Sequence, residues 1–166
     1  MRVPYTIKEE GICSVRIMVW VSDERYRGIF RQREERRLMN LSKIKAVIVD
    51  DDVFKGSDIR KALEFNGIRN IVIVRNQEKL WEEIYHGEDK IDLIVTDMQY
   101  PLEAGEAVDE EAGFKLIERM KREKIDIQVI VCSSLNYSIP NILGSVWYNK
   151  LNDLNSNFKE VLSKLE

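Results

Sequence analysis

Six polar side chains stand where short apolar runs end. Asp50, Asp51 and Asp52 close AVIVDDD, Asp97 closes DLIVTD, Ser133 closes VIVCS, and Lys150 closes VWYNK. Carboxylates with no His or Cys beside them are hard oxygen donors, which suit Mg²⁺ or Mn²⁺ better than zinc. Two carboxylates about 5 Å apart repel by roughly 3 kcal/mol at an effective dielectric near 20. The cluster therefore predicts a bound cation or raised pKa values. A magnesium ion that keeps several waters suits a phosphoryl substrate. One carboxylate can then attack phosphorus as a nucleophile, while the metal and Lys150 neutralise the equatorial oxygens.

The elements that must position these groups are legible as alternation. Ala46–Val49, Ile71–Val74, Val129–Cys132 and a weaker run at Val146–Tyr148 are short and apolar at consecutive positions, and Ile91–Val95 is so apart from Asp92. Strands read this way when both faces of a parallel sheet are covered. Between and after them lie helical stripes: the i,i+4 pairs Leu80/Ile84 and Trp81/Tyr85, then Phe114, Ile117 and Met120, then Leu151, Leu154, Phe158, Val161, Leu162 and Leu165. These stripes read as core. Gly67 and Gly87 follow the first two helices where a C-terminal cap is wanted. Five strand-helix repeats imply right-handed crossovers and an open α/β sheet. In such a sheet the C-terminal strand edge binds ligands, and four strands deliver their polar groups there. The acidic stretch Leu102–Ala112 breaks the rhythm. It reads as a long, solvated loop with scope for a short helix. His86, the single histidine, falls in a helix-to-strand connection and reads as a surface residue.

At 166 residues the chain accommodates one domain with an extension. No apolar run approaches the length of a membrane span, and no secretion signal opens the sequence. Cys13 and Cys132 lie far apart in unlike contexts, so a reducing, cytoplasmic setting is expected. Residues 1–40 carry nine basic and six acidic side chains, against seventeen and twenty-three in residues 41–166. An acidic body argues against direct nucleic-acid binding by the main domain.

Over residues 44–166 the sequence resembles the receiver domains of response regulators in two-component systems. The resemblance rests on the acidic cluster after strand one, TDMQYP around Asp97, the hydroxyl after strand four and the lysine after strand five. It implies a flavodoxin-like three-layer sandwich whose five parallel strands run in the order 2-1-3-4-5. It further implies that Asp97 is the phosphoacceptor. Asp50, Asp51, Asp97 and the backbone carbonyl of Gln99 would hold Mg²⁺. Ser133 would turn toward the new phosphoryl group, Lys150 would pair with it, and Trp147 would be the aromatic switch residue. Asp52 is left as a helix-start residue. The donor would be a histidine kinase or phosphotransfer protein, and an unidentified downstream protein would read the switch. A homodimer through the signalling face is a further expectation. The chain would not be an enzyme beyond its own autocatalytic phosphotransfer and dephosphorylation.

Several positions depart from that pattern. Leu151 stands where the family usually has proline, and Ser134 where it has Ala or Gly. The short stretch from Ser134 to Val146, with Pro140, predicts an abbreviated fourth helix. Two other readings are a receiver-like interaction module that takes no phosphate and a haloacid-dehalogenase-like phosphatase built on Asp50-x-Asp52. The phosphatase needs a further acidic pair after the lysine, where only Asp153 is available. Residues 1–40 read as an extension with a strand over Ile12–Val21 and a basic helix over Asp23–Leu38. Alternatively, they are non-native sequence upstream of Met39, since Glu34–Arg37 is what purine-rich codons before a bacterial start would spell.

Overall fold

The computed structural model describes residues 2–6, 16–20, 32 and 35–165. It divides into two compact units, Met1–Arg37 and Leu38–Glu166. In the first, β1 (Arg2–Thr6) and β2 (Arg16–Trp20) pair antiparallel, with Arg2 opposite Trp20. Of the strand expected over Ile12–Val21, Arg16–Trp20 form β2 and the rest lies outside the described residues; β2 has a partner that the sequence did not suggest. Of the basic helix expected over Asp23–Leu38, residues 32 and 35–38 are helical and the rest lie outside the described residues.

The second unit begins with helical residues 38–41. Then follow β3 (Lys45–Val49), α1 (Val53–Phe65), β4 (Asn70–Val74), α2 (Gln77–His86), β5 (Leu93–Thr96), β6 (Tyr100–Pro101), β7 (Val108–Asp109) and α3 (Ala112–Glu123). β8 (Gln128–Ser133), β9 (Gly144–Trp147), α4 (Leu154–Leu162) and a 3₁₀ turn (Ser163–Leu165) complete it. β4-β3-β5-β8-β9 form one parallel sheet in that order. Counting only its own five strands, this is the expected 2-1-3-4-5.

Alternate side chains of β3 go to opposite faces. Ala46 and Ile48 pack with Ile59, Ala62 and Leu63 of α1 and Phe158, Val161 and Leu162 of α4. Val47 and Val49 pack with Leu80 and Trp81 of α2 and Ala112, Leu116 and Met120 of α3. Burying a side chain such as Phe158 in full stabilises by about 1.5–3 kcal/mol, so these layers fix the sheet and hence its C-terminal edge. Three expected core positions fall outside. Tyr85 is 51% exposed and stacks on Trp81 at the surface of α2. Leu151 precedes α4 and is 97% exposed. Phe114 is exposed and meets Tyr137 edge to face, because the buried face of α3 runs through Leu116 and Met120 instead.

Two connections differ from expectation. The 102–112 loop contains no helix. Its flanks pair antiparallel, Tyr100 with Asp109 and Pro101 with Val108, as β6 and β7. Proline fits such an edge ladder because it is not asked for an N–H on both sides. Between β8 and β9 the abbreviated helix is absent altogether. Pro140 lacks an amide donor, and Asn141 takes the left-handed conformation at φ 63°, which ends helical propagation. Gly67 adopts φ 101° after α1, as a C-terminal cap requires, whereas Gly87 is extended at φ −61°. Among the described residues, no helix is long and apolar enough to cross a membrane.

Candidate functional site

Asp50 and Asp97 follow adjacent strands, and the sheet ladder continues into both. The Asp50 N–H donates to Val74 O (3.1 Å) and the Asp97 N–H to Val49 O (3.0 Å). Each carboxylate is then fixed by a backbone amide. Asp50 Oδ1 accepts from the Asp52 N–H (2.9 Å), and Asp97 Oδ1 accepts from the Met98 N–H (2.7 Å). Asp50 is 1% exposed, while the side chain of Asp97 keeps 16% of its surface open to solvent.

The cation between them comes from a helix. Lys55 Nζ lies 2.9 Å from Asp50 Oδ2 and 2.8 Å from Asp97 Oδ2, on a side chain almost fully withdrawn from solvent. Its contact with Asp50 Oδ2 is one of charge, since that oxygen accepts no aligned hydrogen bond. Asp52 places the lysine by capping α1, its Oδ1 accepting from the N–H groups of Phe54 (2.8 Å) and Lys55 (3.1 Å). The Tyr148 ring stands 5.8 Å from the ammonium. Its hydroxyl donates to Asp58 Oδ2 (3.1 Å), and its backbone N–H donates to Ser133 O (2.8 Å).

Burial pushes the Asp50 carboxyl up to about 6, against the pull of the Lys55 ammonium and with a further push from the Asp97 charge. Burial acts to lower Lys55, but the two carboxylates outweigh it and raise the ammonium above its ordinary value. One positive charge faces two negative ones, so the second carboxylate stays reluctant to ionise.

The floor of the site is equally tight. Thr96 Oγ1 donates to the Asp97 carbonyl (2.7 Å) and lies 3.2 Å from the buried Tyr100 hydroxyl. The first turn of α3 closes from the other side, with the Gly113 N–H donating to Met98 O (3.1 Å). A β-carbon on Gly113 would lie 2.6 Å from the Asp97 carbonyl oxygen, so only glycine allows this approach.

The other sequence-derived candidates are placed unevenly. Asp51 is half-buried and Gln99 exposed. Ser133 is buried at the end of β8, in register with Trp147. Trp147 is 47% exposed, and its indole N–H donates to Ser134 O (2.9 Å). Lys150 lies on an exposed turn and makes no ion pair among the described residues. The ammonium on the acid pair in this structure belongs to Lys55, not to the expected Lys150. With Leu151 following it, Lys150 sits in an open turn, while Lys55 reaches the acids from the buried face of the first turn of α1.

Sequence reading missed Lys55 because it searched strand ends. A signal was present nonetheless, because a lysine in the first turn of a helix opposes the macrodipole and calls for a local anion. With Lys55 in place, the acids do not offer the expected magnesium site. Among the described residues no three carboxylate, histidine or cysteine side chains converge on a metal position, and the Lys55 ammonium already contacts Oδ2 of both acids.

No family model and no curated protein matches the sequence. Solved structures do. A two-component response regulator from Clostridium difficile aligns over 74% of this chain and 96% of its own, at 21% identity and a TM-score of 0.55. A response regulator receiver protein from Pseudomonas putida aligns over 73% and 96%, at 19% identity and a TM-score of 0.55. RcsB from Salmonella enterica serovar Typhimurium, bound to promoter rprA with phosphomimetic BeF3⁻, aligns over 74% at 21% identity and a TM-score of 0.54. The fold is that of a response regulator receiver domain. Against RcsB, this receiver-like chain spans 61% of the longer protein. Within the receiver fold, the phosphatase alternative loses its extra acid. Asp153 caps α4, accepting from the N–H groups of Asn155 and Ser156.

Proposed function

We propose that this chain is a receiver that accepts a phosphoryl group on Asp97 and signals to a separate protein. The observation that carries the reading is the solvent-reachable Asp97 carboxylate at the end of the central strand β5, paired with a cation beside a buried second acid. An Asp97 oxygen forms the new bond to phosphorus. The bond from phosphorus to the donor breaks, and the donor keeps its electron pair. For a histidine kinase or phosphotransfer protein the leaving group is an imidazole. Lys55, already charged, offsets the equatorial oxygens without reorganisation. The product is an acyl phosphate that water later cleaves, which makes the chain a signalling phosphoacceptor with only that self-directed chemistry.

The added charge of about −1.5 to −2 competes with Asp50 for the ammonium and draws on the buried Ser133 hydroxyl. In this reading Trp147, now half outside, moves inward. A ligand-dependent bias of two such arrangements is all that a partner needs to read.

One observation favours a second reading, an interaction module of the same fold that uses no phosphate. Lys55 already satisfies the acid pair, and Lys150 stands apart from it. Incubation with acetyl phosphate followed by intact-mass measurement separates the two. The wild type is expected to gain the mass of one phosphoryl group, and Asp97→Asn is expected to gain none. An unlabelled wild type leaves the interaction module standing.

A further inference from the structure

We propose that Lys55 is a built-in occupant of the cation position, which a divalent ion can enter only by displacing it. This rests on the reading above solely in taking Asp50 and Asp97 as the cation-binding acids.

The oxygens decide the matter. Each Oδ1 already accepts a backbone N–H, from Asp52 in one case and Met98 in the other. That leaves Oδ2 of each acid as the freer donor, and the ammonium stands 2.9 and 2.8 Å from those two atoms. A magnesium ion needs its oxygens at about 2.0–2.1 Å. An ion bridging the pair would need the same two oxygens that the ammonium holds, so the two cations exclude each other.

The lysine is also held ready. Its own N–H and the Gly56 N–H are tied to Asp52. Its ammonium faces the Tyr148 ring, which Asp58 anchors. The ion-free pair is therefore a closed arrangement of this chain's own residues. Divalent binding is weakened by the fraction of molecules in which Lys55 is in place.

The test is Mn²⁺ binding, followed by electron paramagnetic resonance of the free ion, on wild type, Lys55→Met and Lys150→Met. Lys55→Met is expected to bind Mn²⁺ about tenfold or more tightly than wild type, as removal of a resident competitor requires. Lys150→Met is expected to match wild type. Equal or weaker binding by Lys55→Met overturns the proposal. If Lys55→Met is unfolded without metal, its recovery of native circular dichroism on adding Mn²⁺ supports the proposal. A chain that stays unfolded at every Mn²⁺ concentration overturns it. A wild-type crystal soaked in Mn²⁺ gives an independent check. An ion ligated by both acids with Lys55 still against each Oδ2 overturns the idea, and an ion with Lys55 withdrawn supports it. Because the readout is metal occupancy, failure of Asp97 to take phosphate would sink only the phosphoacceptor reading.

Discussion

The two halves of the sheet's C-terminal edge are built to different standards. Around β3 and β5 the reactive groups are amide-anchored and cross-paired, with buried Asp50 and solvent-reachable Asp97 joined through buried Lys55. Around β8 and β9 the crossover has no helix, Trp147 is half outside, and Lys150 is exposed. Both halves lie in the same sheet, so strand pairing does not set the difference. What covers each strand end does: α1 and α3 close over the acids, while residues 134–143 form an irregular path. A site of fixed charge thus adjoins a segment with few constraints, the arrangement the proposed switch requires.

The sharpest way to break this contrast is to remove one lysine from each half. Lys55→Met leaves two acids without their cation and is expected to cost about 3–5 kcal/mol near neutral pH. Lys150→Met, in an exposed turn, is expected to stay within about 0.5 kcal/mol of wild type. Urea unfolding of both variants checks this, and equal losses would erase the distinction.

Two glycines give a smaller version of the same comparison. In Gly113→Ala the new methyl meets backbone, the Asp97 carbonyl at 2.6 Å and Met98 Cα at 2.9 Å, so a loss of about 1–3 kcal/mol is expected. In Gly144→Ala it meets the Val161 methyls at 2.8 and 3.2 Å. A side chain can yield where a backbone cannot, and thermal melts should rank Gly144→Ala the milder.

The smallest effect is a slope with pH. Folding raises the Asp50 carboxyl from 3.8 to about 6, so between those values the native state holds more protons than the unfolded chain. The stability conferred by that proton is complete below about 3.8 and is lost as pH rises through about 6. Wild type is expected to lose stability across that window, and Asp50→Asn is expected to remove this component. An identical slope in both chains would place the buried charge elsewhere.

The better-anchored half was also the more legible. Consecutive Val and Ile residues announced the five strands, since only strands covered on both faces read that way. Asp50 and Asp97 stood out at their ends, and Asp52 proved to be the cap that its position suggested. The missing element at 134–143 was half visible in Pro140, but the left-handed Asn141 is a backbone state that no periodicity reveals. The β6-β7 pairing was hidden because two-residue strands carry no period at all. Lys55 escaped because its role depends on the direction in which α1 leaves β3. That direction follows from packing against Phe158 and its neighbours, many residues away in the chain.

Tyr148 touches both halves. Its ring flanks the lysine, its hydroxyl engages α1 through Asp58, and its backbone amide grips the carbonyl of the buried serine. In mechanical terms it is a rocker arm with one end on the charge lock and the other on the responder. On the proposed phosphorylation, a push on the ammonium would arrive as a tug on the serine's own peptide, with no long relay through the core.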